Sequence, residues 1–288
     1  MDKTTDYQRR INAATNQVAL NLDKNHSIEE LAAVANFSKY HFHRIYRALS
    51  GETVANMVNR LRLEGAAGTL IYNKGHSITR VAVAHGYSSG ANFTKAFTKH
   101  FGCSPSAYRN NSKIGKAIAA NPLEDSPIEL EVKLSHQPET LLAYYRRKGP
   151  YLHREISAMH RKVQQWVEDR DCAAQTSASI GIAWSDSLIT KEESWIYDAC
   201  VAVKPETKGD GAISIQSLQG GLVAQLEVEL AANDSHDLSP YWDWFVRDWF
   251  MTSNHEMRSS PSYERYIDTV HGFKVRLCLP LELNDWRS

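Results

Sequence analysis

An internal repeat constrains the fold of the first third of the chain more than any other feature. The segment SIEELAAVANFS at residues 27–38 returns as SITRVAVAHGYS at residues 77–88, at an offset of 50 residues. Beyond it the offset becomes 51, which pairs Phe42 with Phe93 and Gly51 with Gly102. Self-similarity of this length indicates one supersecondary unit that is used twice. We therefore expect residues 1–112 to contain two copies of the same small structure.

Each copy is predicted to form a helix, a tight turn and a second helix. Apolar residues recur at helical spacing after residues 27 and 77, and the pattern breaks at Asn36 and Gly86. Serine is a favoured N-cap residue, because its hydroxyl accepts a hydrogen bond from a free backbone N–H of the first turn. Suitable serines precede all four helices: Ser27 and Ser38 in the first copy, and Ser77 and Ser89 in the second.

The second helix of each copy is predicted to be amphipathic. One side carries aromatic residues such as Phe42 and Phe93, and the opposite side is polar and mostly basic. A helix with a basic outer face behind a tight turn has the geometry that enters the major groove of DNA. We expect the following residues to contact double-stranded DNA: Lys39, Tyr40, His43, Arg44 and Arg47 in the first copy, and Ser89, Asn92, Lys95 and Lys99 in the second.

The two copies are not equally equipped to read bases. A guanidinium such as that of Arg44 can pair with O6 and N7 of guanine, which is worth about 1 to 3 kcal/mol of discrimination. The alternative for Arg44 is a phosphate contact or a solvated side chain, and the alternative for His43 is a plain surface position. The alternative for Tyr40 is packing beside the sugar backbone. The matching helix of the second copy begins with Gly90 and Ala91, which offer only small apolar contacts. We therefore predict that the first copy supplies most of the base discrimination, while the second mainly anchors phosphates.

A single helix is predicted between the two copies, over residues 54–72. Its 19 residues span about 28 Å at 1.5 Å per residue. One turn of DNA rises about 34 Å. A rod of this length can hold the two outer helices in successive major grooves.

The distribution of charge supports a polyanionic partner for the first half. Residues 1–112 hold 14 Lys and Arg against 7 Asp and Glu, whereas residues 113–288 hold 19 against 26, and the whole chain has no net charge. A basic segment attracts nucleic acid, and an acidic one is repelled by it. Charge asymmetry alone does not identify DNA, but it agrees with the basic helices.

The first half resembles the AraC/XylS family of transcriptional regulators, in particular the Rob type. That family's signature ends in a GFS…F…FK..FG.SP..YR pattern, and this chain has GYSSGANFTKAFTKHFGCSPSAYR at residues 86–109. The resemblance covers about residues 5–112. It implies that Tyr40, His43 and Arg44 face the groove, and that RNA polymerase is a further partner.

The second half is predicted to be an α+β domain with internal pseudo-symmetry. Pro122 and Pro127 place a linker at residues 113–127, between a DNA-binding domain at 1–112 and a second domain at 128–288. Strand-strand-helix-strand-strand occurs twice in the predicted order, which gives two ββαββ-like repeats. The predicted strands are 128–135, 140–147, 178–184, 195–203, 213–218, 222–229, 262–268 and 273–280, and the predicted helices are 151–169 and 238–251.

This half resembles the gyrase-inhibitor-like, or BmrR-type, effector-binding domain, on the segments YYRRKGPYLHREISAMHRKVQQWV, SIGIAWSD, PSYERYIDTV and FKVRLCLPL. The resemblance implies a glutamate in an aromatic cavity, here Glu264, that binds a small aromatic or cationic lipophilic effector. Strand alternation predicts Glu264 and Tyr266 on one face and Tyr263 with Arg265 on the other. The alternative is a solvated glutamate among aromatic residues that only form cores. The expected walls are Tyr145, Trp184, Tyr197, Trp249 and Tyr266.

Other classes of protein lack support in the sequence. No run of about 18 apolar residues occurs and the N-terminus is polar, so we expect a cytoplasmic protein with no membrane contact. The cysteines and histidines show no metal-ligand spacing, so we expect neither a metal nor a cofactor. We do not expect an enzyme. The open alternatives for the second half are a small-molecule hydrolase, with Glu264 as general base, and a protein-interaction or sequestration module.

Overall fold

The computed structural model describes residues 3–111, 130–175, 178–231, 237–269 and 272–283. These residues divide into two compact units: residues up to 111 form nearly all of the first, and later residues form nearly all of the second. No helix in the described ranges is long and apolar enough to cross a membrane. The predicted linker at 113–127, and the first two residues of the predicted strand 128–135, lie outside the described residues.

The first unit is helical, and the repeat predicts its order correctly. The helix between the two copies has the predicted bounds, and each copy forms a helix-turn-helix. Described residues 3–111 contain seven helices: α1 Lys3–Ala19, α2 Ile28–Val34, α3 Lys39–Ser50, α4 Val54–Tyr72, α5 Ile78–Ala84, α6 Gly90–Phe101 and α7 Pro105–Arg109.

The helix ends of the two copies match because the same local chemistry occurs twice. The four predicted serines are N-caps, each accepting a hydrogen bond from a backbone N–H three residues later. The turns bend at Asn36 (φ 52°) and Gly86 (φ 76°), two residues after α2 and α5 end. Gly51 and Gly102 end α3 and α6 in the same left-handed conformation, at φ 77° and 76°.

The apolar sides of α3 and α6 form the inner surface of this unit. Phe42, Phe93 and Phe97 are completely buried, and Tyr46 is nearly so. Residues at positions i, i+3 and i+4 share one side of a helix, so burying these rings turns the polar side outward. The basic outer faces predicted from the sequence are therefore exposed.

In the second unit, the residues that the structure describes form one antiparallel sheet of eight strands, in the order β1-β6-β8-β7-β3-β4-β2-β5. The chain order ββαββ occurs twice, as predicted. The strands are β1 Val132–Gln137, β2 Thr140–Lys148, β3 Ser179–Ala183, β4 Ile196–Ala202, β5 Ser214–Leu218, β6 Gly221–Ala231, β7 Tyr263–Thr269 and β8 Gly272–Pro280. The two long helical segments begin with α8 His153–Glu168 and α9 Ser239–Trp244.

The second helical segment differs from the single helix predicted over 238–251. Helix α9 ends at Trp244 and continues as a π-helical turn, Phe245–Trp249, and a 3₁₀ turn, Phe250–Thr252. Phe245 and Phe250 are both buried, and they are five residues apart. That separation is the hydrogen-bond spacing of a π-helix. Burial of both rings agrees with the wider turn, which apolar periodicity alone did not predict.

Strand register divides the sheet into two chemically different faces. Gly181 on β3 pairs with Glu264 on β7 and with Ala199 on β4, and Ala199 pairs with Tyr145 on β2. Cross-strand partners point to the same side of a sheet, so these four residues share one face. Helix α8 packs on β2 and β4. The opposite face carries a buried core that includes Tyr144, Ile180, Ile182, Cys200, Tyr263 and Cys278.

Candidate DNA interface and ligand site

The outer face of α3 is a free polar surface. Tyr40, His43, Arg44 and Arg47 follow one another at i, i+3, i+4 and i+7, so they share one side of the helix. The Tyr40 side chain is 81% exposed, and both arginines are exposed. None of the four side chains forms a hydrogen bond or ion pair with another residue of the described ranges. Their polar groups are available to a partner.

Lys39 differs from its neighbours on α3. Its Nζ lies 2.5 Å from Oε1 of Glu29 on α2, and both side chains are exposed. An exposed pair of this kind contributes about 0 to 1 kcal/mol, so it does not prevent a phosphate from competing for the ammonium group. Lys39 must nevertheless give up its ion pair with Glu29 before it can bind a phosphate, whereas Arg44 and Arg47 have no such partner in the described residues.

The outer face of α6 carries fewer and simpler polar groups. Asn92, Lys95 and Lys99 are exposed on one side of the helix at i, i+3 and i+7. The Ser89 hydroxyl accepts a hydrogen bond from the backbone N–H of Asn92 at 3.2 Å, so it acts as the N-cap. Gly90 and Ala91 occupy the first turn. No guanidinium stands on this face of α6.

The carboxylate of Glu264 on β7 is held by neutral donors only. The indole Nε1–H of Trp242 on α9 donates to Oε1 at 3.0 Å, and the hydroxyl of Tyr266 donates to Oε2. No cation of the described residues forms an ion pair with Glu264. Burial raises the pKa of Glu264, and the two hydrogen bonds oppose that rise. The carboxylate is therefore partly desolvated and without a counter-ion.

A chain of hydrogen-bonding groups continues from Glu264 to α8. The Tyr266 hydroxyl lies 3.5 Å from that of Tyr197 on β4, which in turn lies 3.2 Å from Nε2 of His160. Burial raises the pKa of both tyrosines well above the usual value and lowers the pKa of His160 to about 4. All three are therefore neutral at pH 7. With Glu264 ionised, every donor in the chain can point toward the carboxylate.

Gly181 makes room for this arrangement. A Cβ atom at position 181 would lie 2.0 Å from the Tyr197 hydroxyl oxygen and 3.2 Å from Oε2 of Glu264. The Tyr197 side chain therefore crosses β3 over a residue that has no side chain. Glycine inside a strand commonly marks such a close approach.

The structure brings together half of the predicted effector residues. Glu264, Tyr266 and Tyr197 are directly linked. Tyr145 lies on the same face of the sheet, and Nζ of Lys162 on α8 sits 3.9 Å from the centre of its ring. Trp249 packs on Phe245 and His255, with no hydrogen bond to Glu264. The indole that contacts the carboxylate belongs to Trp242 instead.

The structure places Trp184 on the face of the sheet opposite Glu264. Trp184 lies two residues after Ile182, so both side chains are on the same face of the sheet, the one that carries the buried core. Gly181 is on the other face, with Glu264. The Nε1–H of Trp184 donates to Oδ2 of Asp198 at 2.6 Å, and the Arg146 guanidinium lies over the Trp184 ring. Arg146 also binds both Asp198 oxygens, at 2.7 and 2.6 Å. Trp184 therefore belongs to a buried ion pair on the opposite face.

Three residues of the site were missed in the sequence. Trp242 lies two residues before Trp244 in YWDWF, and the sequence contains no signal that selects between them. The residues that surround His160 in the sequence of α8 carry no signal that assigns it to the site. Gly181, inside the apolar run SIGIA, carried a usable signal, because glycine is unfavourable in a strand.

The fold defines a two-part protein, with a helix-turn-helix unit followed by an α+β unit built from two ββαββ repeats. Residues 31–111 match the helix-turn-helix domain family, and residues 130–282 match the family described as GyrI-like small molecule binding domain. The second match covers more than half of the chain. The chain belongs to the GyrI-like family, with an AraC-type helix-turn-helix domain before it. Both resemblances and the fold class are confirmed.

Several transcriptional regulators match about a third of the chain. The chain is 34% identical over 107 residues to the uncharacterized HTH-type transcriptional regulator YbfP of Bacillus subtilis, covering 37% of this chain and 36% of YbfP. It is 38% identical over 84 residues to the probable transcription factor PqrA of Proteus vulgaris, covering 29% and 68%. It is 30% identical over 92 residues to the transcriptional regulator Rob of Salmonella typhimurium, covering 32% of each. The chain thus spans about a third of YbfP and of Rob.

Among solved structures, a cryo-EM structure of the EcmrR-DNA complex in EcmrR-RPo aligns with 89% of this chain and covers 99% of the EcmrR chain. The identity is 13% and the TM-score is 0.46.

Proposed function

We propose that the protein is a transcriptional regulator that binds double-stranded DNA through α3 and α6 and a small lipophilic effector at Glu264. RNA polymerase is the further partner that such a regulator acts on. The observation that carries the effector proposal is a partly desolvated carboxylate held by Trp242 and Tyr266, with no counter-ion in the described residues. The DNA proposal is supported by the unpaired polar face of α3.

The chemistry of the Glu264 carboxylate favours a cation over a neutral effector. An ionised carboxylate offers about four acceptor sites, and Trp242 and Tyr266 occupy two. A buried carboxylate without a cation is costly, because its attraction to water has been lost. A ligand cation restores part of that loss, and in a medium of low polarity the attraction is stronger than in water.

The rings around Glu264 add a second reason. The ring of His160 packs edge to face against Tyr266 and Tyr197, with ring centres 5.2 and 6.1 Å apart. Trp242 is stacked on Phe245. Aromatic faces attract organic cations by about 0.5 to 2 kcal/mol each, and they also bury apolar ligand surface. We therefore expect a lipophilic cation to bind more tightly than a hydrophilic one of equal charge.

Control of DNA binding by the effector is a matter of linkage. An effector changes the affinity for DNA only if it binds the DNA-competent and DNA-incompetent states unequally. The reverse then holds, and DNA changes the effector affinity by the same factor. Measuring effector affinity of the full chain with and without bound DNA therefore tests regulation directly.

The effector site is tested by calorimetry on the full chain. The probes are tetraphenylphosphonium, a permanent lipophilic cation, and triphenylphosphine oxide, an uncharged molecule of related shape. Glu264→Gln preserves the shape but removes the charge, so we expect at least about a tenfold loss of affinity for the cation, or about 1.4 kcal/mol. Affinity for the neutral probe should change little.

The matched control is Glu229→Gln on β6, because the Glu229 side chain is 77% exposed and its carboxylate pairs with Lys274. It should leave both affinities unchanged. Equal cation affinity in the original chain and in Glu264→Gln removes Glu264 from the site and contradicts the proposal.

A further inference from the structure

The two helix-turn-helix copies meet at a junction on the middle of α4. The junction consists of Leu22, Arg62, Gly65, His85 and Gly86. Nε of Arg62 donates to the carbonyl oxygen of Leu22 at 3.0 Å, and its second terminal nitrogen donates to the carbonyl oxygen of Lys24 at 2.6 Å. Both acceptors lie in the loop between α1 and α2, so Arg62 ties the central helix to the first copy.

Arg62 also contacts the turn of the second copy. A Cβ atom at Gly86 would lie 2.5 Å from Cζ of Arg62 and 2.6 Å from the carbonyl oxygen of Leu22. The backbone at Gly86, between α5 and α6, therefore packs directly on the guanidinium and on the first copy's loop. Glycine is needed here both for this approach and for its φ of 76°.

Gly65 allows both copies to reach the same spot on α4. A Cβ atom there would lie 2.7 Å from Cδ1 of Leu22 and 3.1 Å from Cδ2 of His85. His85 is buried, its Nδ1 is 2.9 Å from the carbonyl oxygen of Val81, and its Nε2 is 3.4 Å from Oγ1 of Thr69. Glycine inside a helix costs about 0.5 to 1 kcal/mol relative to alanine, so the close packing explains its presence.

We propose that this junction sets the separation and rotation of α3 relative to α6. Arg62 is then the positioning residue through which the protein selects the spacing between two blocks of bases, one read strongly by α3 and the other read more weakly by α6. The proposal rests on the proposed DNA binding. Arg62 donates to two backbone carbonyls of the loop that leads into the first copy, and it packs against Gly86 in the second copy. One side chain therefore links α4 to both sides of the junction. A planar guanidinium can span two acceptors in a fixed geometry, which a lysine ammonium cannot do.

A rigid pair of recognition helices is sensitive to spacing. One extra base pair moves the second block by about 3.4 Å along the duplex and rotates it by about 35°. Helices held at one separation then cannot keep both sets of contacts. Helices on a loose connection can follow the displaced block, at a small entropic cost.

The test uses the full chain and a duplex that the chain itself selects from a randomised library. Spacing variants of that duplex carry one base pair added or removed between the two contacted blocks. For the original chain we expect each variant to bind about tenfold more weakly, roughly the cost of one mismatched base pair. Arg62→Met should reduce this discrimination to about threefold or less, and Lys74→Met, at an exposed loop position in the same unit, should leave it unchanged.

Arg62→Lys separates positioning from charge and covers the case in which Arg62→Met does not fold. It keeps the positive charge, so a role in attracting DNA predicts unchanged spacing discrimination, which would overturn the proposal. A positioning role predicts loss of spacing discrimination, with the salt dependence of binding retained. Selection of a single block by the original chain also overturns the proposal, whereas selection of no DNA at all removes the proposed function itself.

Discussion

Tyr197 lies across β3 directly over Gly181, so that a methyl group on Gly181 would meet the Tyr197 hydroxyl oxygen at 2.0 Å. The two residues are on neighbouring strands, and Gly181 is also the register partner of Glu264. Removing one side chain from the sheet thereby lets a tyrosine from β4 approach a carboxylate on β7. The arrangement at Glu264 depends on a residue that contributes no chemical group.

We predict that Gly181→Ala displaces Tyr197 and loosens the hydrogen-bonded chain. Overpacking of this kind costs about 1 to 3 kcal/mol in free energy of unfolding. The measurement is urea unfolding followed by tryptophan fluorescence, which reports on the second unit because all seven tryptophans lie at or after residue 166. A Gly181→Ala protein as stable as the original contradicts this account.

The two tryptophans on opposite faces of the sheet are expected to behave differently. Trp242→Phe removes a donor that lowers the pKa of Glu264, so the carboxylate should lose its charge at a higher pH. Binding of tetraphenylphosphonium should then weaken, and its fall with decreasing pH should begin at a higher pH. Trp184→Phe should instead lower stability, because Asp198 loses a donor, and leave cation affinity unchanged. Titration calorimetry from pH 5 to 8 measures the cation affinity of both variants, and urea unfolding measures their stability. Weaker cation binding in Trp184→Phe alone would reverse the assignment.

His160 should make the stability of the second unit depend on pH. Its pKa is about 4 in the folded protein and about 6.5 when exposed, so the folded state favours the neutral ring. The stability it contributes is fully present above pH 6.5 and is lost as the pH falls toward 4. The loss amounts to about 3 kcal/mol over that range, at about 1.36 kcal/mol per unit of pKa shift.

The check on this prediction compares His160→Phe with the original chain by urea unfolding at pH 7.5 and pH 4.5. The difference in unfolding free energy between the two proteins should shift by about 2 to 3 kcal/mol in favour of the variant at the lower pH. His136→Phe, at an exposed position on β1, serves as the control. A difference that does not change with pH argues against a buried neutral His160.

The unequal outer faces of α3 and α6 predict unequal effects on DNA binding. Arg44→Ala should cost about 1 to 3 kcal/mol and relax the preference at one base pair. Lys99→Ala should weaken binding to all sequences alike and reduce the salt slope by about 1. Both are measured by titrating selected duplexes at several salt concentrations, with Lys74→Ala as control. Equal losses of affinity on base substitution in both half-sites would rule out the predicted inequality.

Local chemistry explains why the helical unit was predictable. Each capping serine and each left-handed turn residue acts within three or four positions of itself, and the repeat presents the same signals twice. Strand alternation likewise places Glu264 and Tyr266 on one face without reference to the rest of the sheet. Such signals survive in any context in which the element forms.

Residues that meet through the sheet were not predictable in the same way. Alternation puts Trp184 and Gly181 on opposite faces, but only the pairing of β3 with β7 shows that Gly181 has the Glu264 side. Trp242, and not Trp249, donates to Glu264 across 22 positions of sequence. Arg62 reaches Leu22 across 40 positions of sequence. Each of these relationships joins residues that are distant in the chain.

By itself, the sequence determined the double helix-turn-helix and the order of strands and helices in the second unit, because these depend on short-range periodicity, caps and repeats. The resemblance to the gyrase-inhibitor-like domain singled out Glu264 as the candidate carboxylate. Only the tertiary structure decided which neutral donors hold that carboxylate, which tryptophan stands apart from it, and how one arginine joins the two copies. Those depend on strand register and helix packing, where a shift of one residue moves a side chain to the other face.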